Sequence, residues 1–162
     1  MRRPAAPKRA TLVGVISDTH GLLRPEAVAA LDGVRLIVHA GDVGEREVLK
    51  RLSEIAPVVA VRGNNDMAPW ADALPETEVV KIGGRRLYVL HDLKRLDVDP
   101  RAFDVVIAGH SHRPAVDRRN GVLFLNPGSA GPRRFSLPVT AAHLCVGPGR
   151  PTAEIVDLIR TR

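Results

Sequence analysis

Residues with metal-binding side chains stand at the ends of short apolar segments in this sequence. Asp18 and His20 follow the apolar stretch 11–17, and His110 and His112 follow the stretch 104–109. Residues i and i+2 of an extended segment point to the same side, so the two side chains of each pair can face one ion. His110 and His112 could instead face two adjacent ions. Other apolar stretches end in side chains of the same kind, namely Asp42, Asn64 and His91.

This set of side chains predicts a particular chemistry. Carboxylate, imidazole and amide oxygen are ligands for divalent ions such as Mn, Fe, Co or Zn. A carboxylate can bridge two ions, and Asp42 is the candidate for that role. Two ions about 3.5–4 Å apart form a clamp for in-line displacement at phosphorus, because they lower the pKa of a bound water and stabilise the charge that develops.

Each motif alone also has a purely structural interpretation. The pair at Asp18 alone is only a weak indication of metal, and the pair at His110 could be a surface turn. The motif "GNND" at Asn64 alone is most often a turn, and His91 could be a satisfied core histidine. The combination is harder to explain, because four of the 6 histidines would have to fall at strand ends by chance. His39, in "VHAGD", is expected to support the ligands rather than bind metal, and His143 is expected to be structural.

Predicted strands and helices alternate in the first half of the chain. Their order is strand 11–17, helix 24–33, strand 35–42, helix 45–56 and strand 57–63. This order is typical of a parallel sheet with crossover helices. In open sheets of this kind, sites form beyond the carboxyl ends of the strands, where the ligand candidates of this half fall.

The second half is rich in strands joined by antiparallel turns. A hairpin over 77–91 turns at Gly83-Gly84, and another over 114–129 turns at Asn120-Gly121. The stretch 104–112 is predicted to be a strand followed by a loop, and strands 139–147 and 152–159 are predicted to pair with each other. The whole predicts a mixed α/β sandwich of two sheets with helices outside.

Composition and charge bear on whether the protein is a nucleic-acid-binding module. The net charge is +6, but Arg2, Arg3, Lys8 and Arg9 lie in the first ten residues, and removing these four from the 24 basic residues leaves 20 against 18 acidic ones. Aromatic residues make up 3%, too few for a platform that stacks single-stranded nucleic acid. A dedicated nucleic-acid-binding module is therefore not expected.

The length of 162 residues fits one domain. We expect a basic flexible tail over 1–10 and a single domain over 11–162. No apolar run reaches the roughly 18 residues of a membrane-spanning helix, and no signal peptide is expected. The lone Cys145 cannot form an internal disulfide, which favours a cytoplasmic location.

Taken in order, "SDTHG", "HAGD", "GNND", "LH", "GHSH" and "NPGS" resemble the calcineurin-like metallophosphoesterase superfamily, in particular its small prokaryotic YfcE-like phosphodiesterases. The resemblance spans residues 12 to about 135. It implies a four-layer αββα sandwich of two mixed β-sheets flanked by helices, with a di-metal site at one edge of the sheets. It would assign Asp18, His20, Asp42 and His112 to one ion and Asp42, Asn64, His91 and His110 to the other, with Mn often preferred and Zn, Fe or Ni as alternatives.

The sequence departs from the family pattern after two ligands. Many members have a His after the ligand Asn that helps the transition state or protonates the leaving group, whereas this chain has Asn65. Asp66 follows, and it could either orient a ligand or water or cap nearby amides. After His91 stands Asp92, which either adds negative charge near a site meant for anions or points away and caps the next segment. The capping role is the one expected.

The loop 126–134, "NPGSAGPRR", resembles a family loop beside the site. Asn126 and Ser129 could hydrogen-bond substrate or a ligand histidine, and Arg133 or Arg134 could pair with a phosphate. The alternative is a turn with solvated arginines. Besides the ligands, the predicted catalytic residues are Asn65, Asp66 and Arg133.

The expected function is di-metal-dependent hydrolysis of a small phosphodiester through a metal-bridging hydroxide. The alternative is a catalytically weak scaffold for protein–protein interaction, as in retromer's metallophosphoesterase-like subunit. The complete set of metal-competent residues favours catalysis. A homo-oligomer is compatible with the sequence, and the natural substrate stays open.

Overall fold

Two five-stranded β-sheets form the protein in the computed structural model, which describes residues 10–159. The strands are β1 (Thr11–Ile16), β2 (Leu36–His39), β3 (Val58–Ala60), β4 (Thr77–Ile82), β5 (Arg85–Leu90), β6 (Val105–Ile107), β7 (Ala115–Arg119), β8 (Val122–Asn126), β9 (Thr140–Val146) and β10 (Thr152–Asp157). The helices are α1 (Pro25–Ala30) and α2 (Arg46–Ser53), with 3-10 turns at Pro69–Ala73, Leu93–Arg95 and Pro100–Ala102. Apart from Ala10, the predicted tail lies outside the described residues.

The order of strands is β10-β9-β1-β2-β3 in the first sheet and β4-β5-β6-β8-β7 in the second. In the first sheet β1, β2 and β3 are parallel, and in the second β5, β6 and β8 are parallel, while the flanking pairs are antiparallel. The predicted mixed two-sheet architecture is confirmed. The predicted turns at Gly83-Gly84 and Asn120-Gly121 are confirmed as well.

Three apolar layers stabilise the sandwich. The largest lies between the two sheets, where Val15 and Val38 of the first sheet join Leu87, Ile107 and Leu125 of the second in one buried cluster. A second cluster lies under α1 and α2, on the outer face of the first sheet. Because both α-helices cover that sheet, the opposite outer face needs a different cover.

The outer face of the second sheet is covered by a segment with 3-10 turns. Tyr88, Val106 and Phe124 on this face pack against Leu93 and Phe103 of the segment 92–103. Within residues 10–159, no α-helix packs on this face. The helices and the two sheets are three layers of the sandwich, and this segment is the fourth. The fourth layer is therefore thin.

No helix of the described chain combines the length and the apolar character needed to cross a membrane.

Several predicted elements end earlier than the sequence pattern indicated. The strand predicted over 35–42 ends at His39, because Gly41 and Asp42 take positive φ values of 102° and 56°. The strand predicted over 57–63 is only Val58–Ala60. The stretch 104–112 contains the strand Val105–Ile107 followed by a loop, as predicted. The apolar stretches thus continue beyond the sheet into the loops at the strand ends.

The loops after β1 and β2 pair with each other through their backbones. The amides of Asp18, His20 and Gly21 donate to the carbonyls of residues 41, 42 and 43 at 2.9, 3.0 and 2.8 Å. Gly44 completes this contact with a φ of +92°, and a Cβ atom there would overlap the backbone of His20 and Gly21. The approach of the two loops therefore requires glycine at residue 44.

His39 links the same two loops from inside the core. Its Nδ1 accepts a hydrogen bond from the Gly41 amide at 3.1 Å, so its Nε2–H donates to Thr19 Oγ1 at 3.0 Å. The Thr19 hydroxyl in turn donates to the Val43 carbonyl at 2.8 Å. Burial lowers the pKa of His39 to about 4, so the ring is neutral near pH 7. This is the supporting role predicted for His39.

We expect Gly44→Ala to destabilise the protein far more than Gly33→Ala. Gly33 also has a positive φ, +83°, but a Cβ there would meet nothing within 4 Å. Gly33→Ala should therefore cost only the left-handed strain, about 1–2 kcal/mol. Gly44→Ala should cost about 1–3 kcal/mol more, because the loops must separate. Chemical denaturation measures both, and equal losses would show that the two loops do not approach as described.

We expect His39 to make stability depend on pH. Its folded pKa of about 4 lies below the ordinary value of 6.5, so the stability it contributes is present above pH 6.5 and is lost as the pH falls towards 4. Between those values the wild-type free energy of unfolding should fall by up to about 3 kcal/mol more than that of His39→Gln. Denaturation of both proteins at several pH values tests this. The carboxylates titrate in both proteins, so the difference between the two stability curves reports the contribution of His39. Parallel curves would contradict it.

Candidate metal centre

Two clusters of potential metal ligands lie at the edge where the parallel strands of both sheets end. One contains Asp18, His20 and His112, and the other contains Asp42, His91 and His110. Within each cluster the ligand atoms lie within 4.8 Å of one another. The remaining predicted ligand, Asn64, joins the second cluster, since its Oδ1 lies 3.2 Å from His110 Nδ1. The structure therefore brings together every ligand candidate that the sequence indicated.

The two clusters adjoin through their carboxylates. Asp42 Oδ2 lies 3.2 Å from His91 Nε2 and 3.9 Å from His20 Nε2. Asp18 Oδ1 lies 3.3 Å from His112 Nε2 and 3.9 Å from His91 Nε2. Sequence analysis singled out Asp42 as the residue between two ions, but Asp18 also faces histidines of both clusters.

The backbone that carries these ligands is strained. Positive φ values occur at Asp18 (56°), His20 (47°), Asp42 (56°), His110 (72°) and His112 (62°). Such values cost residues other than glycine about 1–3 kcal/mol each and cluster at functional sites. The expectation that Asp18 and His20 converge by alternation along an extended segment is therefore wrong in its geometry, because the left-handed backbone turns both side chains to one side.

The carboxylate of Asp18 is fully buried, and among residues 10–159 only one of its two oxygens accepts hydrogen bonds. Its Oδ2 accepts hydrogen bonds from Ser17 Oγ at 2.6 Å and from the His110 amide at 3.0 Å. Burial alone would raise the pKa of Asp18, but the interactions with His112 and Ser17 outweigh it and lower this pKa. Asp18 is therefore ionised, and Ser17 is a residue of the site that sequence analysis missed, although it precedes Asp18 in the "SDTHG" motif.

Asp42 is held ionised by a similar balance. Burial opposes its charge, but the close contact with the His91 ring and the hydrogen bonds from Asn65 hold its pKa well below the usual range. The Asn65 amide donates to Oδ1 at 2.8 Å, and its side-chain Nδ2 donates to Oδ2 at 3.0 Å. For His91, burial lowers the pKa, whereas Asp42 and Asp18 raise it, and the net effect is a raised pKa.

The donor set and its unpaired atoms fit divalent cations. Within the described chain, Asp18 Oδ1 and His91 Nε2 are buried without a hydrogen-bond partner. Buried polar atoms in proteins normally have partners, and a bound cation would supply one here. His91 Nδ1 donates to the Ala40 carbonyl at 2.7 Å, which turns its Nε2 towards the carboxylates as a ligand requires.

The structure places the predicted catalytic residues in three different environments. Asn65 contacts the carboxylate of Asp42, as described above. Asp66 is buried, and its two oxygens accept hydrogen bonds from the amides of Val43, Gly44 and Gly63 at 3.2, 3.0 and 2.9 Å. This is the capping alternative, in which Asp66 joins two ligand loops. Arg133 is exposed in the loop after residue 131, without a hydrogen bond or ion pair to any residue between 10 and 159.

Other polar residues near the site hold its loops rather than reach into it. Asn126 Nδ2 donates to the Gly109 carbonyl at 3.1 Å and to Ser111 Oγ at 3.0 Å. Ser129 Oγ donates to the Asp18 carbonyl at 3.0 Å. Asn126 and Ser129 thus bind loop groups, and no hydrogen bond joins either of them to a histidine ring within residues 10–159. They fix the loops that carry ligands from both sheets.

Two further expectations concern residues beside or away from the ligands. Asp92 caps the following 3-10 turn as predicted, since its Oδ1 accepts from the Lys94 amide at 3.1 Å. His143 is structural as predicted, since its Nε2 lies 2.6 Å from the Ala30 carbonyl.

Comparison with known proteins identifies relatives of this chain. It is 41% identical over 133 residues to a probable metallophosphoesterase of Methanocaldococcus jannaschii, covering 73% of this chain and 67% of that protein. It is 32% identical over 143 residues to the phosphodiesterase YfcE of Escherichia coli K12, covering 70% and 76%. The solved structure of Vacuolar Protein Sorting 29 from Cryptosporidium parvum superimposes with a TM-score of 0.73 at 23% identity, covering 91% and 97%, which shows a shared fold.

The match to a family model agrees with the ligand geometry. The model of the calcineurin-like phosphoesterase superfamily domain matches residues 12–147, a range that contains every ligand candidate from Asp18 to His112. This chain belongs to the calcineurin-like phosphoesterase superfamily.

Proposed function

We propose that the protein is a phosphodiesterase that uses two divalent metal ions. The observation that carries the proposal is the pair of adjoining ligand clusters, in which the ionised carboxylates of Asp18 and Asp42 face histidines of both. Family membership and a relative named as a phosphodiesterase support the same activity. The substrate class we propose is a small phosphodiester.

The ligand positions divide naturally between two ions. One ion would be held by Asp18, His20, Asp42 and His112, and the other by Asp42, Asn64, His91 and His110. These ligands are oxygens and imidazoles, which suit Mn and also Zn, Fe or Ni. When bound, two such ions activate water as the nucleophile and neutralise the charge that develops on the phosphoryl oxygens.

The remaining residues position these ligands and limit the chemistry. Asn65 fixes Asp42 with two hydrogen bonds, but its amide cannot give a proton to a leaving alcohol. The enzyme should therefore favour phosphodiesters whose leaving group has a low pKa. Asp66 acts through the loops that it joins, and the exposed Arg133 is the proposed contact for the substrate phosphate.

A second candidate function is that of a protein-interaction scaffold. The likeness to Vacuolar Protein Sorting 29 supports this alternative at the level of the fold. A scaffold does not need buried carboxylates that are kept ionised on strained backbone. The unpaired Asp18 Oδ1 and His91 Nε2 support a bound cation, which the phosphodiesterase requires and the scaffold does not.

We expect the metal-stripped protein to hydrolyse an aryl phosphodiester only after Mn, Zn, Fe or Ni is added back. Asp42→Ala and His110→Ala should lower kcat/KM by at least about 100-fold, because even the outer partners of metal ligands contribute about 10–100-fold. His143→Gln is the matched control, since His143 contacts the Ala30 carbonyl away from both clusters, and it should stay within a few-fold of wild type. Metal binding without turnover of any phosphodiester would favour the scaffold.

We expect Asn65→His to widen the range of leaving groups. An imidazole beside Asp42 could protonate the leaving oxygen, and a general acid contributes about 10²–10⁴-fold. Hydrolysis of an alkyl phosphodiester should therefore rise at least tenfold relative to that of a nitrophenyl diester, whose leaving group needs no proton. Asn65→Gln is the control without an acid and should leave the ratio unchanged. An unchanged ratio in Asn65→His would show that residue 65 does not reach the leaving group.

A further inference from the structure

A cleft of about 590 Å³ opens on the outer face of the second sheet, directly beside the second ligand cluster. We call it the outer-face cleft. Its apolar surface comes from Leu93, Val106, Ala108 and Phe124, and Ala115 stands at its edge. The volume lies within the range of about 300–1,000 Å³ that is typical of small-molecule sites.

The cleft exists because the fourth layer covers only part of this sheet face. The segment 92–103 packs on one side of the face, whereas every residue of β7 is exposed. Ala115, Asp117 and Arg119 stand opposite Asn126, Phe124 and Val122 of β8 in the strand register. Opposed residues in a sheet share a face, so alternate side chains of β7 form the far wall of the cleft.

The cleft is continuous with the proposed metal centre. Gly109, His110 and Ser111 line it, and so does Asp92, which follows the ligand His91. His110 therefore lines the cleft and also belongs to the second ligand cluster. A phosphoryl group bound at that cluster would have one of its substituents at the mouth of the cleft.

The lining of the cleft suits a planar aromatic group. Phe124 lines the cleft, and the guanidinium of Arg119 lies over its ring, with the guanidinium carbon 4.9 Å from the centroid. Arg119 Nε also donates to Asp117 Oδ2 at 2.8 Å, which helps to hold the side chain in place. The guanidinium face turned away from Phe124 is a cationic plane on which an aromatic ring can stack. The exposed Lys94 and Arg113 on the rim add donors for polar ring edges, and the cations of the cleft outnumber Asp92 and Asp117.

We propose that the outer-face cleft receives one arm of the phosphodiester substrate, and that this arm carries a planar aromatic or heteroaromatic group, the chemistry of a nucleobase. The proposal rests on the proposed phosphodiesterase function. It makes the outer face of the second sheet the source of substrate selectivity. The metal ligands would then recognise only the phosphoryl group.

Equilibrium binding of two phosphonates tests the proposal without turnover. Phenylphosphonate and methylphosphonate share the phosphonate group and differ only in its substituent. Isothermal titration calorimetry of the Mn-loaded protein measures the affinity of each. The wild type should bind phenylphosphonate about tenfold more tightly, because only the phenyl ring buries apolar surface in the cleft. Ala115→Trp should fill the cleft and abolish this preference while leaving the affinity for methylphosphonate unchanged.

Val116→Trp is the matched control for Ala115→Trp. Val116 is the next residue of the same exposed strand and does not line the cleft, so this variant should keep the preference. Ala115→Leu adds a smaller group, should lose part of the preference, and provides a second measurement if the tryptophan variant does not fold.

The outcomes separate this proposal from the function on which it rests. Turnover of aryl diesters together with equal affinities for the two phosphonates in the wild type would overturn the cleft proposal alone. A preference that survives both substitutions at Ala115 would also overturn it. If the protein binds neither phosphonate and also hydrolyses no diester, the phosphodiesterase function itself would be overturned.

Discussion

The organisation of this protein depends on keeping two carboxylates ionised in a buried crevice. Asp18 and Asp42 are almost inaccessible to solvent, so their charges lose the hydration that would stabilise them in water. Hydroxyl, amide and imidazole groups replace that hydration, and each of these comes from a loop that follows a strand. The positive φ values at the ligands add conformational strain, which the apolar layers around the two sheets must offset.

The parallel parts of the sheets explain why the ligands meet. Strands β1, β2 and β3 end at one edge of the first sheet, and β5, β6 and β8 end at the same side of the second. Each sheet therefore contributes loops to one crevice, with aspartates from the first and histidines from both. The antiparallel strands lie at the flanks, where they extend the sheets without supplying metal ligands.

The sequence was sufficient to predict where most strands fall along the chain and which metal-competent side chains lie close together, because both follow from local patterns of apolar and polar residues. It did not predict the left-handed backbone of Asp18 and His110, since this conformation depends on contacts between loops distant in the chain. The role of Asp66 was open for the same reason, because its partners at 43 and 44 come from another loop. The thin fourth layer was also missed, since short 3-10 turns have no clear periodicity.

The central position of β1 has a consequence for how the protein folds. β1 pairs with β2 on one side and with β9 on the other, so residues near 11 contact residues near 146. During synthesis, β1, the strand that precedes Asp18, stays unpaired along one edge until residues 140–146 have left the ribosome. Folding of this kind is slow, because a long loop must close before its contacts form. The first sheet is therefore completed only after every segment with a candidate ligand, up to His112, has been synthesised.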